Sequence, residues 1–264
     1  NRIGEISSGE ACIKVIDKYI PAGAYKLTVD NVSRLSVGDN IEIRKPVTEK
    51  WIKFMKMDNL VRDGKAQTWI KAGKFLITER TIAAIDGNII TLTVPLIDCY
   101  DSNYTDNNTT IVVANNVGRL KQCGVENIRI ESPAQAVNHS KALYYALRIN
   151  GEDCWAKDIN AMETMESIGI GGRRITLQQV NVIRKALHQG ASKPAEFAPN
   201  GGQILLDRCS VEGDNIWFAA LGAGQTGPIV FLNCTFKGNG RIEGHQRWST
   251  GILLDNCSLP NGGI

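Results

Sequence analysis

The chain has 264 residues and carries 30 Lys and Arg against 27 Asp and Glu, a net charge of +3. So even a balance, with no basic run and no regular aromatic interleaving, argues against a nucleic-acid partner. The 43% hydrophobic fraction is that of a folded soluble protein, and no stretch of about 18 apolar residues reads as a membrane span.

In chain order, residues 1–20 hold one short apolar run, Ala11 to Ile16, which reads as a strand. Pro21-Ala22-Gly23 is a turn and Tyr25 to Val29 alternates as a strand. Val37-Gly38-Asp39-Asn40 is a turn signal ahead of a second strand, Ile41 to Arg44. Leu76 to Ile85 and Ile89 to Val94 flank Asp86-Gly87-Asn88, a strong hairpin signal. Between these strands lies Val47 to Lys74, polar and aromatic, with Trp51 and Trp69. Lys50 to Met57 reads as one helical turn or two. Residues 21–113 are therefore expected to form a small antiparallel β-domain or insertion. It joins the remainder, 114–264, near Ala114 to Gly118.

From Gly124 onward one short pattern recurs. It reads Val125-Glu126-Asn127-Ile128-Arg129-Ile130, then Ala156-Lys157-Asp158-Ile159-Asn160-Ala161. It returns at Leu177 to Val182, Leu206 to Val211, Leu232 to Phe236 and Leu254 to Leu259. Aligning Ile128, Ile159, Val180, Cys209, Cys234 and Cys257 gives spacings of 31, 21, 29, 25 and 23 residues. Each copy has a small or β-branched residue at the register position and a polar residue just before it. Apolar residues alternate on both sides, a strand signal. Periods of this size mean a solenoid, in which stacked coils share a core that no single coil can bury. Leucine-rich repeats need Leu at several fixed offsets, and helical repeats need long runs of 3.6-residue period. Neither is present. The pattern predicts a parallel β-helix, with loops of uneven length between strands that keep register. The longest expected loops are Pro133 to Tyr145, Lys185 to Gly202 and Asn239 to Ser249.

Seven cysteines are present, with no CxxC pair, which argues against a zinc site. Cys209, Cys234 and Cys257 share one register. Rungs about 4.8 Å apart bring neighbours within disulfide range, but the preferred reading is a stack of small buried hydrophobes. Sequons stand at Asn103, Asn107, Asn108 and Asn138. The chain starts at Asn1 and stops at Pro260-Asn261-Gly262-Gly263-Ile264, inside what reads as another coil. It reads as a processed or truncated piece.

The coils, with Asn233-Cys234-Thr235-Phe236 and Asn256-Cys257-Ser258-Leu259, resemble the pectate-lyase-like right-handed β-helix superfamily. Leu35 to Pro46 resembles a β-segment that precedes the coils in many secreted bacterial members. Glu243 to Gly251 is similar to a motif in uncharacterised members. The resemblance implies an all-β chain, a right-handed parallel β-helix with an N-terminal antiparallel β-domain. It also implies a polysaccharide partner and a secreted, cell-surface or periplasmic location. Known members include lyases, hydrolases, epimerases and phage tailspikes, so the fold does not fix the activity. No catalytic signature of a characterised lyase family stands out.

The richest chemical cluster is Arg241, Glu243, His245, Arg247 and Trp248. A lyase acting on a uronate needs a cation for the sugar carboxylate, a base for the adjacent C–H and an acid for the leaving oxygen. Arg247 suits the carboxylate with its planar fork. His245 suits the base, and Trp248 a sugar face. Arg173 and Arg174 follow Gly171-Gly172, and Arg184, Lys185 and His188 open a long loop. Rungs two apart are only about 10 Å apart, so these cations line one groove if their loops leave from one side. The expected catalytic residues are therefore His245, Arg247 and Arg174. The expected substrate-binding residues are Trp248, Arg173, Arg241, Glu243 and His188. The bland alternative is solvated charges and an Arg247 ion pair. His139 and Lys141 form a weaker pair.

A hydrolase would use two carboxylates instead. Candidates are Glu163, Glu166, Asp207, Glu212, Asp214 and Glu243, none marked as a matched pair. Asp207 and Asp255 read as turn residues. Calcium assists some lyases of this fold, but no Asp-rich loop indicates it here, so no cofactor is expected. The preferred reading is a lyase on an acidic glycan. Its rivals are a glycoside hydrolase and a non-catalytic, tailspike-like glycan-binding module.

Overall fold

The computed structural model describes residues 3–4, 12–114, 119–136, 138, 144–189, 193–244 and 248–264. It comprises two units, residues 1–116 and 117–264.

The first unit is built around the strand Asn40–Pro46. This strand pairs antiparallel with Phe75–Asp86 on one side and Thr110–Val113 on the other. Ile13–Lys14 extends the sheet beyond Thr110–Val113, and Ile89–Leu92 and Lys26–Thr28 extend it at the opposite edge. The expected hairpin is present: Asp86 faces Ile89 across the two-residue loop Gly87-Asn88. Burial alternates along the central strand, with Ile41 and Ile43 inside. That is the period of a sheet with one face on a core. The helix Glu49–Phe54 begins where the Thr48 hydroxyl accepts the Trp51 N–H at 3.1 Å, an N-cap. Its buried Trp51 packs against Lys45, whose ammonium lies 5.0 Å from the ring centroid and 2.9 Å from Asp98 Oδ2.

The second unit is a right-handed parallel β-helix. Ile128 pairs with Ile159 and Ile159 with Val180. Asn181 pairs with Ser210, Ser210 with Thr235, and Thr235 with Ser258. The column read from the repeats therefore runs unbroken from Ile128 through Val180, Cys209 and Cys234 to Cys257. Ile159, Val180, Cys209 and Cys234 are each at most 1% exposed. Ile128 and Cys257 stand on the first and last rungs, where a neighbour covers only one side, and both are partly open. The cysteines are free thiols. Each donates to a carbonyl of the preceding rung, as Cys234 does to Leu206 at 3.3 Å and Cys257 to Phe231 at 3.3 Å. The hydrogen bond with Cys234, then burial, push the Cys209 thiol well up.

The polar residue before each register position has a backbone reason. Asn127, Asp158, Gln179, Arg208, Asn233 and Asn256 all have left-handed backbone, at φ 57, 52, 54, 52, 55 and 51. They form one corner of the solenoid, and Asn and Asp adopt that conformation at the lowest cost among non-glycine residues. A second corner is made by Gln122, Asp153, Arg174 and Gln203, at φ 53, 54, 51 and 57. Side chains beside the first corner link rung to rung: Ser210 Oγ donates to Asn181 Oδ1 at 2.7 Å, and Asn256 Nδ2 to Asn233 Oδ1 at 2.7 Å.

The strands are longer than the repeats alone indicate. Leu147–Met162 and Ile168–Ile183 run through the second corner without a break. Ala195–Asp207 occupies half of the stretch expected to be the loop Lys185 to Gly202, because Phe197 and Pro199 turn inward and are buried. Arg241–Glu243 is a strand within the expected loop Asn239 to Ser249, with Ile242 inside.

Candidate functional site

These extra strands form a face of their own, ahead of the second corner. Its outward positions are stacked in columns. Arg148 pairs with Gly169 and Gly169 with Ala198, and the column continues through Ala220, which pairs with Glu243. Beside it Asn150 pairs with Gly171 and Gly171 with Asn200. Many of these outward positions are therefore glycine or alanine, leaving a shallow bed over which the Arg148 and Asn150 side chains reach at its first rungs. The glycines leave room for side chains of the neighbouring positions. A Cβ on Gly169 would lie 2.7 Å from Arg148 Nη1, and one on Gly222 would lie 2.3 Å from Asn200 Oδ1.

Larger groups stand around this bed. The Arg148 guanidinium lies 3.7 Å from the Tyr145 ring centroid and 3.7 Å from Glu166 Oε2. Tyr145 is 43% exposed. Trp217 pairs with Arg241 on the next rung, and Lys193 Nζ stands 5.6 Å from the Trp217 ring. Aromatic rings, amides and cations of this kind serve to stack on sugar rings and to hydrogen-bond hydroxyl and carboxylate groups.

The residues expected from the sequence divide into three groups. Arg241 and Glu243 reach the last rung of this face, Arg241 exposed and Glu243 half-buried, and half-buried Trp248 follows just before the strand Thr250–Asp255. Arg173 and Arg174 do not join them. Arg173 is 1% exposed and its Nη2 donates to Glu152 Oε2 at 2.8 Å. Arg174 is clamped by Asp153, with Nε to Oδ1 at 2.5 Å and Nη2 to Oδ2 at 2.8 Å, and by Glu152 Oε1 at 2.6 Å. Burial pushes the Glu152 carboxyl up, but the two guanidiniums outweigh it and hold it below its ordinary range. The Arg174 hydrogen bond holds Asp153 low as well. These charges compensate one another at the second corner. His188 is buried, and its carbonyl accepts the Asn215 amide at 3.0 Å. His245 and Arg247 lie outside the described residues, as do His139 and Lys141.

Of the carboxylates expected for a hydrolase, Glu163 and Asp207 hold structure, and Glu166 and Glu243 stand on separate rungs. Glu163 is buried and accepts the N–H groups of Lys185 and Ala186 at 2.9 and 3.1 Å, holding a turn. Asp207 binds Arg208 at 2.6 Å. Glu166 and Glu243 both border the outer face, but their positions are three rungs apart, about 14 Å. Acid–base pairs in glycosidases need about 5–9.5 Å. The sequence reading missed Tyr145, Arg148, Lys193, Trp217 and Asn200. The signal was the small-residue alternation of Gly169, Gly171, Ala198 and Ala220 in outward register.

No family model matches the chain, and no curated protein matches it. Three solved structures are similar to it at low identity. The tailspike gp61 of Pseudomonas phage phi297 is 11% identical, with 89% of this chain and 47% of that chain covered and a TM-score of 0.42. The tailspike Gp54 of Acinetobacter baumannii bacteriophage AP22, solved in complex with A. baumannii capsular saccharide, is 12% identical over 98% and 54%, with a TM-score of 0.37. The tailspike gp49 of Pseudomonas phage LKA1 is 14% identical over 94% and 46%, at 0.34. The chain spans about half the length of these proteins. No helix among the described residues is long and apolar enough to cross a membrane.

Proposed function

We propose that the chain binds a polysaccharide along the Gly/Ala-floored outer face of its β-helix. One observation carries this reading. Gly169, Gly171, Ala198 and Ala220 bring little or no side chain of their own to successive outward positions, while Tyr145, Arg148, Asn200, Trp217 and Lys193 stand around them. An extended polymer can lie on such a bed and meet backbone and side-chain donors on successive rungs. Lys193 and Arg241, beside Trp217, favour an acidic glycan. The tailspike of phage AP22 was solved with a capsular saccharide, and a role outside the cell belongs to the same reading.

Binding is preferred to cleavage. Arg173 and Arg174 are held by carboxylates, so neither is available to a sugar carboxylate without breaking a compensated cluster. β-Elimination on a uronate is the second reading, supported by Arg241 and Glu243, which stand close in sequence to His245 and Arg247.

Affinity electrophoresis through gels containing uronate polymers or capsular polysaccharide tests both. Retardation of the chain is expected. Ala198→Trp and Ala220→Trp fill the bed, and should abolish most of the retardation while leaving the melting temperature within a few degrees of the parent. Retardation unchanged in both variants would end the proposal. Growth of the absorbance of unsaturated uronate on incubation would establish the lyase reading instead of simple binding.

A further inference from the structure

The sheet on the other side of the second corner carries an outward stripe that the proposed glycan face does not use. Gly124 pairs with Trp155, Trp155 with Thr176, Thr176 with Leu205, Leu205 with Val230 and Val230 with Leu253. All these residues face away from the core, whose columns are Cys154–Ile175–Ile204–Ile229 and Ala156–Leu177–Leu206–Phe231. Trp155 is 38% exposed and Leu253 52%, with Leu205 and Val230 half-buried between them. The ring of Trp155 is laid over Gly124, where a Cβ would meet it at 2.0 Å, and its Nε1 donates to Glu126 Oε1 at 2.7 Å. It is thus fixed, and apolar surface is presented in line over four rung steps, about 19 Å.

The adjacent outward column decides what covers this stripe. It reads Lys157, Gln178, Asp207, Leu232 and Asp255, each paired with the next. Asp207 is engaged by Arg208 and Gln178, and Glu126, one rung before Lys157, by Trp155. Lys157 and Asp255, at opposite ends, have no ion-pair partner among the described residues. Apolar stripe and end charges together are self-complementary under a two-fold axis through the Leu205 region. A second copy running in the opposite direction lays Trp155 over Leu253 and places Lys157 beside Asp255, twice per interface. A copy running in the same direction, stripe on stripe, would carry its Lys157 and Asp255 to the other side of the stripe and leave both charges without these partners.

We infer that this stripe is a contact between two copies of the chain packed with their solenoids antiparallel. Such an isologous patch closes on itself and gives a dimer rather than a filament. Apolar anchors at its centre supply affinity, and the end charges set direction.

Light scattering of the chain over a concentration series tests this. The mass of two chains is expected. Leu253→Asp should weaken association at least about tenfold. The variants Lys157→Glu and Asp255→Lys should each weaken it, and their combination should restore it, because only an antiparallel contact joins the two positions. All three sites are outside the core, so circular dichroism and melting should match the parent. A single-chain mass at every concentration overturns the proposal. So does an assembly of any size that Leu253→Asp leaves intact, or one in which the double charge swap is no better than either single change.

Discussion

Two glycines show how differently the two units hold their backbones. Gly87, in the hairpin of the N-terminal sheet, has φ 55, and a Cβ there would meet nothing within 4 Å. Gly172, at the start of the second corner of the β-helix, has φ 87, and a Cβ there would lie 1.9 Å from the Gly151 carbonyl oxygen. In the antiparallel sheet a turn has only to reverse the chain, so its demand is local. In the solenoid each corner sits on the corner of the rung before it, so its demand is on space as well as on conformation. Register follows the same division. The hairpin aligns Phe75–Asp86 with Ile89–Leu92 by its own length, whereas Cys234 is aligned only because Cys209 and Cys257 lie on either side.

The sharpest way to break that contrast is inside the solenoid column. Cys234→Asp puts an unpaired carboxylate between two stacked thiols, with no room to turn outward. A loss of roughly 4 kcal/mol or more is expected, read by urea denaturation, and a variant isolated only in unfolded form meets that expectation. A loss below about 1 kcal/mol would show that rungs tolerate displacement, and stacking would not be what sets register.

Gly172→Ala comes next. Left-handed backbone strain and a backbone overlap add, for about 4 kcal/mol. The matching change in the sheet, Gly87→Ala, meets strain alone and should cost about 1 kcal/mol. Equal losses for the two alanines, by the same denaturation, would erase the distinction between local and stacked turns.

Buried ionisable groups sharpen the comparison further. In the sheet, Lys45 meets Asp98 directly. In the solenoid, Glu196 is fully buried and accepts from the Ser167 N–H at 3.3 Å and from the Ser167 hydroxyl. Burial pushes its carboxyl up to about 7, and the Ser167 hydrogen bond and the Arg184 charge offset that only in part. The folded chain then holds this proton more tightly than the unfolded chain, whose carboxyl titrates near 4.5. Stability from this group is complete below pH 4.5 and is lost as pH rises to about 7, by about 3 kcal/mol at most. Glu196→Gln should flatten the melting temperature across that window. A parent with no decline from this group, judged by parent and variant curves running parallel, would mean that Arg184 already neutralises the carboxylate.

The core column was legible in the sequence because its residues are apolar and recur: Ile128, Ile159, Val180 and the three cysteines could be stacked by eye. The Asp86-Gly87-Asn88 hairpin was legible because its turn chemistry is local. The outer face was not. Its strands contain Gly169, Gly171, Gly172, Gly201 and Gly202, and glycine ordinarily weakens a strand, so the alternation there does not stand out. Here parallel neighbours on both sides hold the backbone, and the glycines make room for Arg148 and Asn150 from the preceding rung. Arg173 and Arg174 misled for the opposite reason. A double arginine after two glycines looks like an exposed binding loop, but Glu152 and Asp153 lie one rung away, a proximity that 21 residues of sequence conceal.

The smallest effect belongs to the first corner, where conformation matters and space does not. Asn233 has φ 55, and its side-chain oxygen accepts the Asn256 amide at 2.7 Å. Asn233→Gly keeps the left-handed backbone at no steric cost and gives up one exposed hydrogen bond, so a loss of about 0.5 kcal/mol is expected. Asn233→Ala gives up the same bond and loses the tolerance of Asn for left-handed backbone, for about 1.5 kcal/mol in all. The difference between the two variants isolates the backbone, since both remove the amide. If the corner resembles the Gly87 hairpin, that difference should equal the cost of Gly87→Ala, because neither site has a neighbour to strike. A larger difference at Asn233 would mean that even an outward corner is gripped by its neighbouring rungs, and the solenoid would then be cooperative at its surface as well as in its core.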